Sequence, residues 1–102
     1  MSLERAKRAL QAVEAGAARA EQCETIDSTI FQLETAVDAA VDVAREARET
    51  WAFPQQYSDK ERAEAFRLVE QAFEAIERAL ESAKQHMFWR SENEQGQTEA
   101  QK

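Results

Sequence analysis

Between Tyr57 and Arg90, the residues Phe66, Val69, Phe73, Ile76, Leu80, Ala83 and Met87 recur at alternating steps of three and four. That spacing puts them on one stripe of a helix and suits knobs-into-holes packing over three heptads. Ala65, Leu68, Ala72, Ala75 and Ala79 form a second stripe beside the first. Small residues let a neighbouring helix approach closely, so the pattern predicts a helix over about 59–90 that buries two flanks. Ser58-Asp59-Lys60-Glu61 opens it as a capping box, in which Ser58 accepts from the Glu61 amide and Glu61 reaches back.

Upstream, the segment from Trp51 to Ser58 carries the one strong turn signal. Pro54 removes a donor and disfavours helical geometry at Phe53, which predicts that the preceding helix ends near Thr50. Reading back from there, Trp51, Ala47, Ala44, Ala40, Val37, Leu33, Ile30 and Ile26 form another seam. Leu3, Ala6, Leu10, Val13, Ala17 and Ala20 continue the rhythm, with Ser2 as a candidate N-cap. Two readings of the junction follow. Thr25-Ile26-Asp27-Ser28-Thr29 contains weak helix formers, and a break there gives helices over about 3–24 and 26–51. Alternatively, Ala20, Cys23 and Ile26 bridge the seams, which permits one long overwound helix and a hairpin. Gly16 is a further candidate break.

Composition supports this reading and adds a constraint. Of 102 residues 20 are alanine, against two glycines and one proline, which favours helix and leaves too few turn residues for an all-β fold. The expected fold is therefore all-α: a helical hairpin or three-helix unit over 1–90. Alanine-rich seams bury little area per residue, so two copies are expected to pair into a four-helix-bundle-like homodimer. Residues 91–102 hold one apolar residue, Ala100, and are expected to form a disordered polar tail.

The net charge of −7 argues against direct nucleic-acid binding by bulk electrostatics. Residues 24–50 hold seven acids and two bases, so the acidity is concentrated in the middle helix. The chain lacks a signal-peptide core and an apolar run of membrane-spanning length, and Cys23 has no disulfide partner; a cytoplasmic setting is expected.

Candidate chemistry is sparse. One His and one Cys do not make a metal site, and His86 lacks the Glu three residues before it that di-iron bundles use. Cys23 reads as a small buried thiol rather than a nucleophile. No cofactor is implied, because two isolated glycines cannot build a phosphate loop. Asp27-Ser28 resembles the Asp-Ser-Leu site of acyl carrier proteins over two residues, but the preceding glycine is missing and Thr29 replaces the leucine. Trp51-Ala52-Phe53 resembles the Trp-x-Gly turn of helical hairpin proteins exported by specialised secretion systems, with Phe53 in place of the glycine. Neither resemblance carries its family's functional residues onto this chain.

Two features point to protein interaction. Glu34, Asp38, Asp42 and Glu46 stand at successive i+4 positions, a ridge that mildly repels itself. It reads as a solvated face or as a docking surface for a basic partner. Five of the eight aromatics lie at the ends, Trp51, Phe53 and Tyr57 in the turn and Phe88 and Trp89 closing the last helix, where they either plug the bundle ends or anchor another protein. The expected function is a non-enzymatic interaction or structural protein that dimerises and docks a protein partner. The alternative is an acidic decoy, of the mobile-element type, that occupies a basic nucleic-acid-binding site on another protein.

Overall fold

A computed structural model describes the backbone of residues 3–100 and the side chains of 3–85. The chain folds into α1 (Glu4–Gln22), α2 (Ile26–Ala52) and α3 (Asp59–Ala100), with no strand among the described residues. The three-helix reading therefore holds, and the single long helix does not. Helix α3 continues to Ala100, past its expected end near 90 and through most of the segment expected as a disordered tail; the side chains of Met87, Phe88 and Trp89 lie outside the described residues.

Thr25 decides the junction. Its Oγ1 accepts from the Ser28 amide at 3.1 Å, and its carbonyl accepts from the Thr29 hydroxyl at 2.8 Å. A threonine that caps a new helix holds an extended backbone (φ −109°, ψ 151°), and Cys23 is extended as well, so the rod breaks without glycine or proline. At the other end of α1, Leu3 is the N-cap and offers no side-chain bond; Ser2 lies outside the described residues.

Gly16 does not break α1. It is buried, and a Cβ added there would lie 3.2 Å from Ala36 Cβ and 3.3 Å from Ala36 Cα. The absent side chain lets α1 and α2 touch almost backbone to backbone. Arg19 Nε donates to Gln32 Oε1 at 2.9 Å beside this contact, in keeping with an antiparallel pair.

The core sorts side chains by size. In α1 all six seam residues are buried, as their spacing predicts. In α3 the two stripes exchange roles. The alanine stripe, Ala65, Leu68, Ala72, Ala75 and Ala79, is buried, together with Ile76. Phe66, Phe73 and Leu80, expected in the seam, are 57%, 52% and 43% exposed, and Val69 is half-buried. In α2 the core takes Ala36, Ala40, Val43, Ala47 and Thr50, while Ile26, Ile30, Val37 and Trp51 of the expected seam are exposed. Helices meeting through alanine approach too closely to admit larger side chains between them, which turns the larger residues onto another face.

The α2–α3 turn is held by one guanidinium. Arg62 donates to the Tyr57 carbonyl at 2.9 Å and to the Pro54 carbonyl at 3.4 Å, pairs with Asp59, and lies 5.5 Å from the centre of the Trp51 ring. Helix α2 runs to Ala52, two residues past the expected end, because proline restrains only the residue before it, and Phe53 still donates to the Glu49 carbonyl. The capping box forms as expected: Glu61 N–H donates to Ser58 Oγ at 3.1 Å, and Ser58 N–H donates to Glu61 Oε1 at 2.9 Å. The bond from the Ser58 amide, helped by the Ser58 side chain, holds the Glu61 carboxyl below its usual value.

These contacts predict four outcomes. Gly16→Val forces α1 away from Ala36 and lowers stability by about 2 kcal/mol in urea unfolding. Arg62→Lys, which keeps the charge but loses the fork, costs about 1–2 kcal/mol, and Arg62→Ala costs no less. Ser58→Ala costs about 1 kcal/mol at neutral pH. Because the folded-state value of Glu61 is depressed, its contribution is full above the ordinary carboxylate range and disappears as pH falls through the depressed value. The destabilisation caused by Glu61→Ala should therefore shrink in acid, as followed by urea midpoints across pH.

Candidate protein-interaction face

Most of the large side chains excluded from the core line up in two rows, while Phe31, 62% exposed, stands off them. On α2, Ile26, Ile30, Val37 and Val41 are between 39% and 57% exposed, and they recur at helical spacings of four and seven along one side. Phe66, Phe73 and Leu80 run at steps of seven along α3. The two rows meet at a groove of about 370 Å³ whose lining includes Val37, Val41, Ala44, Phe73 and Ile76. Arg45 and Arg48 also line it. Every lining residue belongs to α2 or α3, so α1 covers the opposite side and leaves this one open.

Seven side chains about half exposed offer on the order of 500 Å² of apolar surface, the scale at which a contiguous patch marks an interaction site. The face extends toward the α1–α2 junction as an apolar pocket of about 170 Å³, bounded by Cys23, Ile26, Ile30, Leu33, Leu80 and Ala83. Cys23 is half-buried there, and its thiol donates to the Arg19 carbonyl at 3.2 Å.

The aromatic candidates divide. Trp51 and Phe53 are 61% and 53% exposed, with Arg62 stacked on the Trp51 ring. Tyr57 is buried in the core and locks the turn, so it does not face a partner. Phe88 and Trp89 lie outside the described side chains. Of the acidic ridge, Glu34, Asp38 and Asp42 are exposed and Glu46 is half-buried. Among the described residues, none of the four enters an ion pair, whereas Lys7 pairs with Glu64 and Arg62 with Asp59. The lower end of the ridge, Asp42 and Glu46, borders a cleft shared with Arg5 and Arg8 of α1.

The sequence pattern missed this face because it was read as core. Arg62 is not legible in the sequence either, since one arginine in the first turn of a helix carries no signal. Among the described residues, no group of three or more His, Cys, Asp or Glu is placed to hold a metal ion, and no helix is long and apolar enough to cross a membrane.

A charge placed on the face should leave the fold intact, because the positions are half-exposed: Val41→Glu is expected to change urea stability of the isolated chain by under about 1 kcal/mol. In contrast, Val43→Glu in the core is expected to unfold it, as read by circular dichroism. No family model, curated protein or solved structure matches the chain.

Proposed function

We propose that this is a non-enzymatic protein-interaction module that works by association through the open α2–α3 face, self-pairing into a homodimer and presenting its turn end to a protein partner. The continuous row of half-exposed Ile, Val, Phe and Leu side chains on that face carries the reading. A monomer gains nothing by keeping such a surface in water, and an acidic chain of this charge resists non-specific aggregation. Trp51 and Phe53, at the end of the bundle, supply the aromatic anchors that partner proteins favour. A cytoplasmic, reducing setting suits the free thiol of Cys23.

A second reading rests on the exposed, ion-pair-free acids Glu34, Asp38 and Asp42: an acidic decoy that fills a basic site on a nucleic-acid-binding protein. Its binding would weaken steeply with salt and with Asp38→Asn/Asp42→Asn, whereas anchoring through Trp51 and Phe53 would not.

Self-association is tested by light scattering across micromolar concentrations. Phe73→Glu, which acts twice in a symmetric pair, should weaken it by at least ~100-fold with helicity unchanged. A wild-type chain that stays monomeric throughout overturns the association reading.

A further inference from the structure

We infer that the open α2–α3 face takes an amphipathic helix of a different protein, apolar along one stripe and rich in Lys and Arg beside it. This rests on the reading of that face as an association surface, and it sets a second occupant in competition with the homodimer.

The apolar rows give the shape of that occupant. From Ile26 to Val41 on α2, and from Phe66 to Leu80 on α3, the rows run about 21–23 Å, the length of a helix of about 15 residues. Helix α1 lies behind them. A helix seated between α2 and α3 therefore completes a four-helix bundle, with its own apolar residues at steps of three and four against both rows.

The edges of the groove give its charge. On α2, Asp27, Glu34 and Asp38 each stand three residues before a member of the apolar row, Ile30, Val37 and Val41. On α3, Glu70 and Glu77 hold the same relation to Phe73 and Leu80, and Glu74 and Glu81 follow one turn further along. Residues three apart share a side of a helix, so both long edges are lined with carboxylates. All seven are exposed, and among the described residues none of them enters an ion pair. Cations stand at the ends: Arg45 and Arg48 line the groove toward the turn, and Lys84 lines the pocket at the α1–α2 junction. Arg78 lies beyond the α3 edge, in the cleft toward α1.

A second copy does not satisfy these edges. Val37 and Val41 line the same groove as Phe73 and Ile76, which sets Glu34 and Asp38 level with the stretch from Glu74 to Glu81. Laying α2 of one copy over α3 of the other brings those acids together. Stacking like on like gives Glu34 and Asp38 the arginines of the other copy, but it sets Glu70, Glu74, Glu77 and Glu81 against themselves. Like charges at a rim cost affinity, whereas Lys and Arg beside an apolar stripe meet each edge with opposite charge. Their methylene stems also cover apolar surface while the heads reach the carboxylates. Neutralising the α3 edge therefore moves the two occupants in opposite directions.

The probe is a labelled synthetic helix of about 18 residues, with Leu at steps of three and four and Lys elsewhere, read by fluorescence anisotropy against the full chain. It should bind one to one, at least ~10-fold more weakly at physiological than at low salt, and ~10-fold more weakly to Glu74→Gln/Glu77→Gln/Glu81→Gln. That same variant should self-associate ~3-fold more tightly in sedimentation equilibrium. Glu14→Gln/Asp42→Asn/Glu46→Gln removes as many charges from clefts away from the groove, and it should change peptide binding by less than ~2-fold. Phe73→Ser should abolish peptide binding. Equal loss in the control variant, or equal binding of a scrambled peptide of the same composition, overturns the inference in favour of attraction to net charge. A wild-type chain that binds the peptide but never pairs leaves the helix site standing and removes the homodimer. A chain that pairs but ignores the peptide does the reverse.

Discussion

Closeness of approach between helices governs this molecule. Gly16 sits against Ala36 with little room for a side chain, and Ala40, Ala47, Ala65, Ala72 and Ala79 are buried through the interior. Interaxial distance between packed helices follows the side chains at the contact, and here those side chains are the smallest available. Once the three axes are that near, a phenylalanine has no place between them. Every other feature of the fold follows from that exclusion: the thin core, the outward turn of Phe66 and Phe73, and a second apolar surface parallel to the first.

That exclusion also explains what could and could not be read in advance. Helix positions, the capping box at Ser58 and the turn at Pro54 were legible, because each depends on a few neighbouring residues whose preferences agree. The first helix was legible to the side chain, since it has one apolar stripe and so one way to bury it. Helix α3 was not, because it has two stripes and the heptad pattern favours the larger residues. Periodicity identifies which residues share a side of a helix. It does not say which side meets the rest of the chain and which remains for something else. That choice depends on the distance between helices, a tertiary quantity that alanine content hints at without fixing.

The two connections solve their problems differently. At Cys23–Thr25 a threonine side chain ends one helix by beginning another, with backbone geometry any residue adopts. At Pro54–Ser58 the turn is longer, and it places Tyr57 inside the core and Arg62 beneath Trp51, so that a charge-assisted network fixes the angle between α2 and α3. Because α2 and α3 together carry the open face, the network around Arg62 sets the shape of a surface it does not belong to.

If two copies pair as proposed, a core built from alanine also ties the survival of the protein to its abundance. Alanine buries little area, so a lone copy holds a narrow margin over its unfolded state, and the largest apolar residues contribute fully only when another molecule covers them. Under the proposed pairing, the folded fraction rises with the amount of protein made. Copies that find no mate would open more often and reach proteases sooner, so under that pairing the alanine stripe would set a threshold of abundance below which the chain is cleared.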